Sequence, residues 1–171
     1  MDTKLFVGKT GSAGDEFGIQ GTKETIVADD CFDEYGATSG DDLVGISAKF
    51  VDMFTVVATH EIEAESEKSD DNGTFYDIFV GVEFKGVSLG AAYQDFEKTE
   101  TDEETEIETT VEATIWGVQV AYDAGFASIA ADYSVGDRDD NEVAIWNLFV
   151  AVPIKPVTLG AGYVTLDYDD E

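Results

Sequence analysis

The sequence predicts an all-β fold, an antiparallel up-and-down β-barrel of about ten strands, and three patterns carry that expectation. The first is strand alternation from Thr74 to Phe96. Tyr76, Ile78, Val80, Val82 and Phe84 fall on one side of its first arm, and Asp77, Phe79, Gly81 and Glu83 on the other, because successive strand side chains point to opposite faces. After a tight turn at Lys85-Gly86, Val87, Leu89, Ala91 and Tyr93 alternate with Ser88, Gly90, Ala92 and Gln94. The second pattern is connection length. From residue 43 onward short turns alternate with long acidic loops, which puts the short turns at one end of an antiparallel sheet and the long loops at the other. The third is an apolar band of defined height. Tyr76 and Phe84 bracket an apolar arm of about 26 Å at the rise of an extended strand. That is close to the height of the outward band of a membrane β-barrel.

Composition bounds the function. The 171 residues are enough for a single domain, 1–171, with a core. The net charge of −29, from 38 acidic and 9 basic residues, argues against nucleic acid as a partner, since phosphate binding needs the opposite sign. A hydrophobic content of 43% argues against simple disorder. Cys31 is alone, so an internal disulfide and a cysteine metal site are excluded. His60 is the only histidine, which removes a His-based triad or a multi-His metal site within one chain. No run approaches the length of a transmembrane helix. Met1-Asp2-Thr3-Lys4 does not open into an apolar leader, so an exported protein is here expected in mature form.

Taken in order, Thr3 to Lys9 and Glu16 to Gly21 read as two strands around TGSAGD. Residues 22–41 lack a strand period, are rich in acid and read as a long loop with a short helical turn near Ile26–Phe32, of the length that is usually functional or disordered. Strands follow at Leu43–Phe50 and Met53–Glu65 around Val51-Asp52, then the acidic loop SEKSDDNG, then the hairpin Thr74–Phe84 and Val87–Phe96. After EKTETDEETE come Ile107–Tyr122 and Phe126–Val135 around Asp123-Ala124-Gly125, then GDRDDN, then Val143–Ile154 and Val157–Asp167 around Lys155-Pro156. Lys49, Lys85 and Lys155 sit at short turns.

The less apolar face is small or polar in mid-strand, at Gly81, Gly90, Gly117, Gln119 and Gly160. A soluble barrel fills its interior with large apolar groups. A greasy exterior around a wide or water-filled lumen fits this pattern better. The competing reading is a soluble antiparallel sandwich with glycines at close-packed points.

LFVGKTGSAGDEFGIQGT, Leu5–Thr22, resembles the FVGL-G-FG…G-Q-T strand pair of Gram-negative general porins, the Vibrio-type trimeric porins especially. In that family the pair leads into the loop that folds into the pore. VGVEFKGVSLGAAYQDFEK and VQVAYDAGFASIAADYSVGD look like its later hairpins, so the resemblance covers nearly the whole chain. It implies the outer membrane with its lipid, homotrimers of 16-stranded barrels, and passive diffusion of small hydrophilic solutes. It also implies that 22–41 is the pore-constriction loop, with Asp29, Asp30, Asp33 and Glu34 on its acidic side. The chain departs from the family in having about ten strands, in ending on Asp169-Asp170-Glu171, and in carrying Ile19 where a basic residue is expected.

With 38 acids, adjacent carboxylates carry little information about catalysis. No nucleophile–base set accompanies them, so no enzyme and no cofactor are expected. In a water-filled constriction the same acids would concentrate cations and repel anions. Asp137, Asp139, Asp140 and Glu142 place oxygen ligands at close spacing where calcium would bind, although Asp and Asn also simply favour such turns. His60 is expected as a packing or interfacial residue, Cys31 as a buried small one, and the strand-end Tyr and Trp residues as an interfacial girdle. A second function also fits, an acidic β-sheet assembly subunit whose open strand edges pair between chains.

Overall fold

The structure, a computed structural model, describes residues 2–11, 13, 31, 39–61, 72–101, 108–138, 141–154 and 157–169. The described strands are β1 (Asp2–Gly11), β2 (Ser39–Phe50), β3 (Phe54–Glu61), β4 (Asn72–Phe84), β5 (Val87–Thr101), β6 (Glu108–Asp123), β7 (Ser128–Arg138), β8 (Asn141–Ile154) and β9 (Val157–Asp169). They form one nine-stranded sheet in sequence order, and each neighbouring pair is antiparallel. β1 and β9 are its edges, so the described sheet is open rather than closed on itself. The strand expected at Glu16–Gly21 lies outside the described residues.

The β4–β5 turn has the geometry that matches strand twist. Lys85 and Gly86 both adopt positive φ, 49° and 81°, as a two-residue hairpin turn of the primed type requires. A Cβ on Gly86 would stand 2.5 Å from the Asp123 carbonyl oxygen. That carbonyl belongs to the end of β6, whose Asp123 N–H donates to the Gly86 oxygen at 2.7 Å. The β6–β7 turn occupies residues 124–127, closed by Ala124 N–H to the Ala127 oxygen at 2.9 Å and by Gly125 N–H to Asp123 Oδ1 at 2.7 Å. Phe126 therefore sits in the turn and not in the strand.

Sequence reading cut several strands short. β2 begins at Ser39, inside the stretch read as loop to Asp41. β5 runs on to Thr101. GDRDDN, read as a long loop, is mostly hairpin: Arg138 pairs with Asn141 and leaves only 139–140 between the strands. Acidic residues were taken as loop signals, but cross-strand pairing carries the ladder through them. Asp137 and Glu142 face each other in it.

The two faces differ sharply. One is bare: Ile78, Val80, Leu89, Val118, Leu148 and Val150 are all between 40% and 51% exposed. The other is covered, and the buried cluster of Val57, Phe79, Ala92, Ile115, Val143 and Ile145 lies there with Ala13 and Cys31. The core is thus made by the β1–β2 connection touching the sheet, at least at those two residues.

Candidate pore-lining face

Register assembles the covered face. Thr59, Asp77, Gln94, Ile115, Gly136 and Val143 are successive cross-strand partners from β3 to β8. Four residues further toward the short turns, Gly81, Gly90, Gln119, Asp132, Asn147 and Val164 form a parallel row from β4 to β9. The row between them contains Phe79, Ala92, Gly117 and Ser134. Glycine gives its space to the larger neighbours: a Cβ on Gly90 would meet Gln119 Cγ at 2.7 Å, and one on Gly160 would meet the Phe149 ring at 2.8 Å.

Thr59, Asp77, Gln94, Asp132, Ser134 and Asn147 are buried polar residues on this wall, and buried polar groups must find partners. The Thr59 hydroxyl donates to Asp77 Oδ1, and Gln94 Nε2 reaches Asp77 Oδ2 at 3.4 Å. Asn147 Nδ2 donates to Asp132 Oδ1 at 2.8 Å, while Asp132 Oδ2 receives no hydrogen bond among the described residues. From β4 to β8 the mid-strand charges on this face are the carboxylates Asp77 and Asp132. Lys98 and Arg138 hold register positions at its long-connection end, opposite Val111 and Ala113.

The β1–β2 connection meets the wall at two described points. Ala13 N–H donates to Thr59 Oγ1 at 2.9 Å. Cys31 N–H donates to Ser134 Oγ at 3.0 Å, and its thiol approaches the Val143 oxygen at 3.6 Å. The first contact is on β3 and the second on β7 and β8, about 20 Å apart at the spacing of neighbouring strands. Asp29, Asp30, Asp33 and Glu34 lie outside the described residues, but Cys31, which stands among them in sequence, is fully buried against this wall.

The bare face ends in aromatic groups. Trp116, Tyr133 and Trp146 form a run with ring centroids 5.5 and 4.2 Å apart, and Tyr76 and Tyr93 pair at 6.2 Å. Phe54, Phe84, Tyr122 and Phe126 stand toward the short turns, all exposed, with Lys85 Nζ 4.9 Å from the Phe84 ring centre. Beyond the first girdle, toward the long connections, Asp95, Thr114, Asp137 and Glu142 follow as cross-strand neighbours. His60 lies on this face, exposed and opposite Tyr76.

Of the expected calcium ligands, Asp137 and Glu142 are paired and exposed, whereas Asp139 and Asp140 lie outside the described residues. Among the described residues no three His, Cys, Asp or Glu side chains gather to hold a metal. Asp77 and Asp132 were missed as candidates among so many acids. Their signal was position: each is a carboxylate in mid-strand on the less apolar side, not in a loop.

Comparison with known proteins follows the same lines. No curated protein matches the chain. Among solved structures, a porin refined at 1.8 Å resolution matches with a TM-score of 0.64 and 18% identity, over 80% of this chain and 50% of that one. The chain thus spans about half the length of the solved porin it matches. A family profile described as Gram-negative porin matches residues 3–171. By that match, which runs through all nine strands, the chain belongs to the Gram-negative porin family.

Proposed function

We propose that the chain supplies wall and constriction to a water-filled outer-membrane channel that passes small hydrophilic solutes by passive diffusion, with cations favoured. The observation that carries this reading is the division between the two faces. The bare side offers lipid a continuous apolar band with aromatics at both ends. The covered side is polar in mid-strand and receives the β1–β2 connection at Thr59 and Ser134. Asp29, Asp30, Asp33 and Glu34, close to Cys31 in sequence, together with the wall carboxylates Asp77 and Asp132, would give the pathway one sign of charge. Such a field raises local cation concentration. No chemical step is involved. In lipid every backbone polar group must be paired, so the channel reading requires strand partners for the edges β1 and β9. The resemblance to trimeric porins makes a homotrimer the assembly proposed.

The test is a planar-bilayer recording with detergent-purified protein across a potassium chloride gradient. Discrete conductance steps with a cation-selective reversal potential support the reading. Folded, β-rich protein without conductance contradicts it and leaves the strand-edge assembly subunit as the better account.

A further inference from the structure

Asp132 is a buried carboxylate whose charge the described wall does not answer. It is 3% exposed. Asn147 Nδ2 donates to its Oδ1 at 2.8 Å, and its Oδ2 is fully enclosed with no hydrogen-bond donor among the described residues. Its cross-strand partners are Gln119 and Asn147, and its neighbours two places along β7 are Ala130 and Ser134. None of the four carries a positive charge. The basic residue of β7 is Arg138, about 20 Å away at the rise of a strand. An ionised carboxylate taken out of water without a counter-charge is costly, so such groups are paired or hold a metal ion. The second oxygen at hand is Asn147 Oδ1, buried like Asp132 Oδ2, and an amide oxygen has two lone pairs. A carboxylate and an amide oxygen are hard ligands, suited to hard cations. The carboxylate charge is single, and among the described residues no three His, Cys, Asp or Glu side chains gather, which suits one positive charge rather than two. We propose that Asp132 Oδ2 and Asn147 Oδ1 form a cation site in the wall, taking one partly dehydrated alkali-metal ion. The channel reading above supplies the route by which the ion arrives, and two protein ligands hold it weakly enough to exchange with the pathway.

The test is thermal unfolding of the full chain in detergent, in potassium chloride against tetramethylammonium chloride at equal ionic strength. Both salts screen exposed charges alike, but buried oxygens coordinate only the small ion. Wild type melts about 3–6 °C higher in potassium chloride, the shift for an ion at about tenfold its Kd. Asp132→Asn abolishes that difference. It still folds, because an amide at position 132 needs no counter-charge and keeps an oxygen for Asn147 Nδ2. Asn147→Leu leaves the Asp132 charge in place and also loses the difference, because an oxygen ligand is gone; a long-range field would preserve it. Asp137→Asn, at an exposed carboxylate on the other face, keeps the difference. Equal wild-type midpoints in the two salts, or a difference that survives Asp132→Asn, overturns the site. Conductance is a separate readout. Protein that melts as predicted but does not conduct keeps the cation site and removes the channel reading. Protein that conducts with equal midpoints keeps the channel and removes the site.

Discussion

Asp132 and Tyr133 are adjacent in sequence and stand on opposite sides of β7 in surroundings that share nothing. Tyr133 packs between the rings of Trp116 and Trp146, on a face where large apolar groups remain exposed. Asp132 is buried on the other face, taking a hydrogen bond from Asn147 beside Gln119. The contrast shows that one strand here is built to two specifications. The bare side needs only the right class of residue at each height, aliphatic in the middle and aromatic at the ends, because lipid is a uniform partner. The covered side needs particular residues opposite one another, because a buried carboxylate must meet a donor and a large side chain must meet a glycine.

Substitutions sharpen this comparison in order of size. Leu148→Arg places a charge in the middle of the bare band and costs about 2–4 kcal/mol of folding stability in bilayers. Urea titration of the protein folded into vesicles measures this. An unchanged midpoint would break the assignment of that face to lipid. Gly90→Val forces the Gln119 side chain from its place over the glycine and costs about 1–3 kcal/mol, the range for overpacked sites. Thermal unfolding followed by circular dichroism reads the loss. Tyr133→Leu keeps the apolar character of the bare face but removes two ring contacts, for about 1–2 kcal/mol, and the same melts detect it. The smallest change is a gain. Glu97 and Glu112 are direct cross-strand partners, so Glu97→Gln relieves a like-charge pair by about 0.2–1 kcal/mol. That gain shrinks as salt is added, because exposed charges are screened.

The bare face was legible in the sequence because its rule is local. Period-2 alternation named Ile78, Val80, Leu89, Trp116 and Trp146, and each is exposed on that side. The turn at Lys85-Gly86 was legible for the same reason, since Gly at its second position permits the positive φ it adopts. The covered face was legible only as small and polar. That Asp132 meets Asn147, or that Gln119 lies over Gly90, depends on register between strands, which no single strand encodes. Strand ends were misplaced where acid was read as loop, although Asp137 and Glu142 remain in the ladder. The hydroxyls of Thr59 and Ser134 carried no signal at all. Their partners, Ala13 and Cys31, are 46 and 103 residues away in sequence.

The central claim is that the bare face meets lipid while the covered face does not. The chain has two tryptophans, and Trp116 and Trp146 both lie on the bare face. Intrinsic fluorescence of the protein folded into vesicles of brominated lipid, against aqueous iodide as the second quencher, therefore tests it directly. Strong quenching by the brominated acyl chains with little effect of iodide is the result this account predicts. Quenching by iodide with none from the lipid would place the tryptophans in water and contradict it.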